Sequence, residues 1–203
     1  MKLTPLASLP LLTLAVMAPQ EPQQEPRVII ETELGSITIE LHPAKAPVTV
    51  GNFLQYVDEG RFEGATFYRV VRPDNQPNNE VKIEVIQGGP RPRAPEDRLP
   101  PIEHETTEMT GIRHLDGVIS MARNRPGSAS SEFFICIGDQ PELDFGGRRN
   151  PDGQGFAAFG RVISGMDVVR LIQQQEPGTE QYLENPVPIR RVARISPRDA
   201  TGL

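Results

Sequence analysis

The 203-residue chain has little of what builds disulfides and thiolate metal sites, because it contains one cysteine, Cys136, and no tryptophan. A single cysteine excludes both an intrachain disulfide and a cysteine cluster for zinc. Cys136 lies in the apolar run FFICI, so we expect a buried and unreactive thiol. The three histidines, His42, His104 and His114, lack a metal-binding spacing, and we expect them at the surface or at element ends.

Positive charge is also in short supply, since 27 acidic residues face 21 basic ones and the net charge is −6. Nucleic acid is therefore disfavoured as a main partner, because phosphate binding needs a surplus of Lys and Arg. The sequence has no GxSxG, P-loop, GxGxxG or HExxH motif. It thus gives little support to a nucleophilic or metal-assisted enzyme and implies no cofactor. Any activity has to depend on shape, hydrogen bonds and one well-placed charge.

Long apolar runs are missing except at the N-terminus, where residues 6–18 read LASLPLLTLAVMA after Lys2. This run is too short to span a bilayer, but a positive residue followed by such a run is typical of a secretory signal peptide. We predict an exported bacterial protein, periplasmic or secreted, with residues 1–26 as signal peptide and Pro/Gln-rich linker. Residues 27–198 are then the folded domain. An uncleaved anchor or a disordered tail is the alternative for the first segment.

What the sequence does contain is alternating hydrophobicity between turns rich in Gly and Pro. Residues 27–43 predict a β-hairpin that turns near Gly35, and residues 46–60 change to the apolar spacing of an amphipathic helix. A second helix is expected to begin after Ser164, which would be its N-cap, and Pro177 is expected to end it. The other strand patterns cover residues 66–71, 81–89, 117–123, 132–138, 156–163 and 187–195, and the segments 72–80 and 90–111 read as loops. About eight strands and two helices without a βαβ rhythm indicate an antiparallel sheet or barrel.

One of these strands, TFYRVV at residues 66–71, is apolar but carries Arg69 in its middle. A guanidinium is costly to bury unless something pairs with it. Strand alternation predicts Arg69 on the same face as Phe67 and Val71, with Tyr68 and Val70 on the opposite face.

Six stretches together resemble the cyclophilin-type peptidyl-prolyl cis-trans isomerases and follow one another in the order of that family. They are GNFLQYVDEGRFEGATFYRVV, VIQGG, GVISMAR, SSEFFICIG, ELDF and FAAFGRV, within residues 28–196. The resemblance implies a mainly all-β fold, a closed eight-stranded antiparallel β-barrel capped by two α-helices. It also implies proline-containing polypeptides as substrates and no metal. Barrel closure leaves no free sheet edge, so we expect a monomer.

The resemblance assigns catalytic roles to three residues. Arg69 stands for the arginine in the groove that holds the substrate proline, Gln87 for a glutamine that hydrogen-bonds the peptide, and Phe134 for the aromatic floor of the proline pocket. Among the substrate-binding positions, Val85 and Leu143 correspond to pocket walls. Ala122 and Arg123 correspond to the strand whose backbone receives the peptide, with Arg123 in place of the usual asparagine. Glu132 and Phe156 complete this set.

Four positions depart from the family pattern: Glu132 replaces glutamine, Glu84 phenylalanine, Glu142 tryptophan and Phe156 histidine. An ionised carboxylate cannot donate the hydrogen bond that an amide donates. Glu132 could instead pair with Arg69 and hold it in position.

Two functions remain open at this point. The first is a peptidyl-prolyl cis-trans isomerase that assists the folding of exported proteins, which the retained Arg69, Gln87 and Phe134 favour. The second is a cyclophilin-fold module that binds peptides, or acts like a chaperone, with weak or lost isomerase activity. Glu132, Glu84 and the missing histidine at position 156 favour this second function or a reduced rate.

Overall fold

Eight antiparallel strands close into a barrel in the computed structural model, which describes residues 24–90 and 97–195. In chain order, the eight barrel strands and the short additional strand β8 are β1 (Arg27–Thr32), β2 (Gly35–Leu41), β3 (Thr66–Val71), β4 (Val85–Gly89), β5 (Val118–Met121), β6 (Phe133–Cys136), β7 (Ala157–Ser164), β8 (Pro177–Thr179) and β9 (Tyr182–Ile195). Their order is β1-β2-β7-β5-β6-β4-β3-β9, and β9 pairs back with β1. The short β8 pairs with β9 outside this ring. The predicted closed eight-stranded barrel is confirmed.

Three α-helices accompany the barrel in the described residues: α1 (Pro47–Asp58), α2 (Thr107–Thr110) and α3 (Met166–Gln173). Helix α1 matches the predicted amphipathic segment, with Pro47 in its first turn and Phe53 and Tyr56 buried in the core. Helix α2 is a single turn in the segment predicted as loop, capped by Thr106. None of the three has the length and apolar character needed to cross a membrane. The predicted signal peptide falls mostly on residues 1–23, which lie outside the described residues.

The start of α3 differs from the prediction. Ser164 is the last residue of β7, where it pairs with Thr38, and Gly165 is the N-cap, with a φ of 92°. A side chain at Gly165 is excluded twice, by this left-handed backbone and because its Cβ would lie 2.3 Å from the carbonyl oxygen of Ser36. The helix ends at Gln173, before the predicted stop at Pro177, because Pro177 begins β8.

Strand β3 contains a bulge that changes the predicted facing of its side chains. Phe67 pairs with Gly88 and Arg69 with Gln87, so Tyr68 is an extra residue in β3 opposite β4. Phe67 and Val70 therefore both point into the barrel core, and the prediction that Arg69 shares a face with Phe67 is wrong. Arg69 lies outside the barrel core, on the side of Val71.

The hydrophobic residues form two clusters. The larger fills the barrel and includes the edge-to-face contact of Phe53 and Phe133, whose ring centroids are 5.7 Å apart. The smaller lies outside the barrel wall and consists of Val71, Ile83, Val85, Phe134, Cys136 and Leu143, with Ala122 and Phe156 partly buried against it. The prediction that Cys136 is buried is confirmed, and burial raises the pKa of its thiol well above the usual value.

Candidate active site

A cavity of about 820 Å³ opens over the smaller cluster, on the outer wall of the barrel. Its lining includes all nine residues predicted for the site: Arg69, Val85, Gln87, Ala122, Arg123, Glu132, Phe134, Leu143 and Phe156. The strand register explains why three of them meet. Arg69 on β3 pairs with Gln87 on β4, and Gln87 pairs with Phe134 on β6. The guanidinium, the amide and the aromatic ring therefore form a row across three neighbouring strands.

The floor of the cavity is apolar and made of rings. Phe134 is 4% exposed and meets Phe156 edge to face, with ring centroids 5.2 Å apart and an interplanar angle of 87°. Val85 and Leu143 complete the floor. Such a surface can seat a small aliphatic ring by excluding water from it.

Arg69 is held at the rim of the cavity by two amide oxygens. Its Nη1 donates to Oε1 of Gln87 at 2.7 Å, and its Nε donates to Oε1 of Gln181 at 3.0 Å. Nη2 donates to the same oxygen of Gln181. Burial lowers the pKa of Arg69, but a guanidinium remains protonated at neutral pH. The side chain is therefore a fixed positive charge.

The suggested pairing of Glu132 with Arg69 does not occur. Glu132 accepts a hydrogen bond from the hydroxyl of Tyr68 at 2.8 Å and one from Nε2 of Gln87 at 3.3 Å, and it lies 3.6 Å from Arg98. The bulge helps to explain this outcome, because it lets Tyr68 line the cavity, where its hydroxyl bonds Glu132. Burial, and then the charge of Glu132, raise the pKa of Tyr68.

Several residues that line the cavity or orient Arg69 are not among the predicted site residues. Tyr68 was assigned to the wrong face, and Gln181 and Tyr182 lie where the short strand β8 turns into β9. Tyr182 stacks on Tyr68, with ring centroids 6.3 Å apart. Gln181 is 112 positions from Arg69 in the chain, and no periodicity in the turn marks it. Arg98 and Arg149 also line the cavity and were not predicted.

Arg123 fixes the long loop between Leu143 and Phe156. Its side chain is 1% exposed and forms a bidentate ion pair with Asp152, at 2.7 and 2.8 Å. Nε also donates to the carbonyl oxygen of Gly155 at 2.8 Å, and the guanidinium lies 5.2 Å from the centroid of the Phe156 ring. The hydrogen bonds from Arg123 lower the pKa of Asp152 to about 2.

Two of the departures do not place a carboxylate in the cavity. Glu84 accepts a hydrogen bond from Nε2 of Gln173 at 3.2 Å, and Glu142 pairs with Arg148 at 2.9 Å. Neither glutamate lines the cavity, where Ile83 supplies apolar surface instead.

His114 is buried rather than at the surface, which corrects the expectation for this histidine. Its Nδ1 lies 2.8 Å from Oδ1 of Asp144 and its Nε2 lies 2.9 Å from Oγ of Ser120. The imidazole stacks on Phe134 at 5.9 Å, so the group supports the cavity floor from behind. Ser120 is fully buried, and within residues 24–90 and 97–195 no group of three His, Cys, Asp or Glu residues could hold a metal ion.

Known proteins resemble the chain in both sequence and fold. The sequence model of the family "Cyclophilin type peptidyl-prolyl cis-trans isomerase/CLD" matches residues 27–194. The peptidyl-prolyl cis-trans isomerase cyp18 of Streptomyces antibioticus is 36% identical over 168 residues, which are 81% of this chain and 93% of that protein. Isomerase A of Dickeya dadantii is 37% identical over 150 residues, 72% of this chain and 70% of that protein. Isomerase B of Escherichia coli is 34% identical over 149 residues, 72% and 83% of the two chains.

Among solved structures, a cyclophilin-type isomerase of Cryptosporidium parvum superposes with a TM-score of 0.66 at 19% identity. The match covers 85% of this chain and 98% of that one, and so supports the fold. A second structure of that protein was determined in the presence of the dipeptide Ala-Pro. Barrel topology, the row of site residues across three strands and the extent of these matches lead to one assignment. The chain belongs to the cyclophilin-type peptidyl-prolyl cis-trans isomerases.

Proposed function

We propose that the cavity seats a proline of a polypeptide substrate and that Arg69 accelerates rotation about the preceding peptide bond. The barrier to this rotation is about 18–20 kcal/mol, because twisting the bond breaks amide resonance. In the twisted state the prolyl nitrogen regains a lone pair and can accept a hydrogen bond. A donor aimed at this nitrogen stabilises the twisted state more than either planar isomer, which is the requirement for catalysis.

The observation that carries this proposal is the row of Arg69, Gln87 and Phe134 beside an apolar floor. Three of the five N–H groups of Arg69 are engaged by Gln87 and Gln181, which leaves one each on Nη1 and Nη2 for a substrate. The ring of Phe134 and the side chain of Leu143 offer apolar contact to the pyrrolidine ring. The relative whose structure was determined with Ala-Pro supports the choice of ligand.

The test is exchange spectroscopy by NMR on a peptide that contains Ala-Pro, with the wild-type protein and Arg69→Ala. We expect the wild type to speed cis-trans exchange and Arg69→Ala to lose about 100-fold or more of kcat/KM, as for removal of one donor to a transition state. Arg161→Ala is the matched control, because Arg161 is an exposed arginine on strand β7 that pairs with Glu40 outside the cavity. Equal rates for wild type and Arg69→Ala would overturn the role of Arg69. A wild type that binds the peptide without accelerating exchange would instead make the chain a peptide-binding module.

We also propose that the protein is an exported bacterial isomerase that assists the folding of other exported proteins. The apolar run at residues 6–18 after Lys2 supports export, and the relatives named above from Streptomyces, Dickeya and Escherichia support a bacterial origin. N-terminal sequencing of the protein from the periplasmic fraction or medium of expressing cells is the test. We expect a new N-terminus near Ala18, and a chain that stays in the cytoplasm with residues 1–18 intact would contradict export.

A monomeric state is proposed as well, because eight of the strands close on one another and β8 has only three residues. Size-exclusion chromatography with light scattering should give the mass of a single chain. A mass of two chains at micromolar concentration would contradict it.

A further inference from the structure

Four arginines line the cavity, and one of them, Arg149, has no part in any step of the proposed mechanism. Arg149 belongs to the long loop between Leu143 and Phe156 and lines the cavity together with Arg69. Its backbone N–H donates to the carbonyl oxygen of Glu142 at 3.1 Å, and Nη1 of its side chain donates to the carbonyl oxygen of Val81 at 2.6 Å. The loop and the end of the segment before β4 thus fix its position.

Arg149 forms no ion pair with a carboxylate of residues 24–90 and 97–195. In the described part of the chain, no carboxylate oxygen lies within 4 Å of a guanidinium nitrogen of Arg149 or Arg69, whereas Arg123 pairs with Asp152 and Arg98 lies 3.6 Å from Glu132. Burial, and then the positive charge of Arg69, lower the pKa of Arg149. Two unpaired guanidinium groups therefore share one cavity.

Arg149 and its neighbour Asn150 also have hydrogen-bond donors that find no acceptor in residues 24–90 and 97–195. A guanidinium has five N–H groups, and the bond to Val81 is the one side-chain hydrogen bond of Arg149 to any described residue. The neighbouring Asn150 lines the same cavity, and its side-chain nitrogen is buried without an acceptor among the described residues. Half-buried cations and unused donors are costly unless a ligand supplies charge and acceptors. The missing partner in this cavity is an anion with oxygen acceptors, although the chain as a whole carries a net charge of −6.

We propose that Arg149 forms a subsite for a substrate carboxylate, so that the enzyme prefers proline bonds with Asp or Glu close by in the sequence. The proposal rests on the proposed function, because the carboxylate is brought by the same polypeptide whose proline occupies the floor. A planar guanidinium and a carboxylate form paired hydrogen bonds, which gives both affinity and orientation. The same chemistry could be offered by the free carboxylate at a chain end.

The experiment compares peptides that carry one proline, have blocked ends, and place Glu or Gln at each of the two positions before and after the Ala-Pro pair. We expect kcat/KM to be about 10-fold higher with Glu than with Gln at one of these positions, as for one charge-assisted hydrogen bond. Arg149→Gln should remove this ratio, and Arg149→Lys should retain part of it. Arg148→Gln is the matched control and should keep the full ratio, because Arg148 is exposed, pairs with Glu142 and does not line the cavity.

The outcomes separate this inference from the proposed function. Equal rates for Glu and Gln peptides at every position, together with no gain from a free C-terminus, would overturn the subsite, while acceleration of the same Gln peptides that is lost in Arg69→Ala would leave the isomerase function intact. A ratio that persists in Arg149→Gln, with the fold confirmed by circular dichroism, would also overturn it. A further peptide with a free C-terminus and no Glu tests the second source: a gain that disappears in Arg149→Gln would support the subsite and assign it to chain ends.

Discussion

At the scale of single residues, the most informative feature is that neutral oxygens orient Arg69. Gln87 and Gln181 accept its hydrogen bonds, while Glu132 bonds Tyr68 and Gln87 instead of Arg69. A carboxylate in direct contact would offset the positive charge that the twisted peptide bond needs. An amide oxygen fixes the geometry and leaves the charge in place, which suits a mechanism based on electrostatic stabilisation.

Gln181 supplies one of these amide oxygens, so its substitution should slow the reaction. Gln181→Leu removes the acceptor for Nε and Nη2, so we expect kcat to fall about 10-fold while KM changes little, because orientation of the donor matters most in the transition state. Gln181→Glu keeps an acceptor but adds a negative charge, and it should also be slower than the wild type. NMR exchange rates at several peptide concentrations give kcat and KM. Gln174→Leu, at an exposed glutamine after α3, is the control, and a Gln181→Leu variant with wild-type kcat would contradict the role.

A second prediction at this scale concerns Tyr68. Burial and the Glu132 charge raise its pKa, so the phenol is harder to ionise in the folded chain than in the unfolded one. The stability that depends on the neutral phenol is complete below the unfolded pKa of about 10 and is lost as the pH rises through the folded value. Glu132→Gln removes one cause and should lower the pKa of Tyr68, while burial keeps it above about 10. Absorbance titration of the phenolate band, with Tyr68→Phe to identify the signal, measures this. An unchanged pKa would contradict the coupling.

At the scale of secondary-structure elements, periodicity predicts regular segments and fails where one residue interrupts them. The hairpin of β1 and β2 and the helix α1 follow from alternation and from helical spacing. The bulge at Tyr68 has no such signal in the sequence. An inserted residue reverses the side of the sheet on which each later side chain of the strand lies, so strict alternation fails there. The start of α3 differs from the prediction for a related reason. Ser164, the predicted N-cap, still belongs to β7, and Gly165 makes the turn into the helix.

The loop that follows Leu143 gives a prediction for a whole element. Arg123 binds both Asp152 and Gly155, so Arg123→Ala should release the loop and leave a buried carbonyl group without its donor, at a cost of about 1–3 kcal/mol. We expect faster amide exchange in residues 150–155, measured by mass spectrometry, and a higher KM because Phe156 is no longer covered. The low pKa of Asp152, about 2, means that the ion pair persists as the pH falls to about 3 and is lost below it. Unchanged exchange in Arg123→Ala would contradict the anchoring role.

At the scale of the whole molecule, the sequence predicted the barrel and the strand-borne part of the site but not the part brought by loops. Arg69, Gln87 and Phe134 lie on neighbouring strands, so motifs that fix strand identity also bring these residues together. Gln181 reaches Arg69 from a turn, and Arg149 reaches the cavity from a long loop. The sequences of these two segments have no periodicity that would predict the positions of the two side chains. The hydrogen bonds between Gln181 and Arg69 form only because β9 lies beside β3 in the closed barrel.

The buried histidine links the stability of the barrel to the shape of the cavity. Burial alone would raise the pKa of Asp144, but the hydrogen bonds from the ring and backbone of His114 outweigh it and hold the pKa below its usual value. A lowered carboxyl pKa adds stability that is present above the unfolded value of about 4 and is lost as the pH falls through the folded value. The free energy of unfolding should therefore decrease below about pH 4.

Asp144→Asn tests this link, because it keeps the size of the side chain and removes its charge. We expect the variant to be less stable at neutral pH by about 1–3 kcal/mol, and to show a shallower loss of stability below pH 4 than the wild type. Urea unfolding at a series of pH values measures both, and Asp167→Asn, at an exposed carboxylate on α3, is the control. Because His114 stacks on Phe134, the same variant should shift the NMR signals of the Phe134 ring and raise KM for a proline peptide. A destabilised variant with unshifted ring signals and wild-type KM would limit the role of His114 to the stability of the barrel.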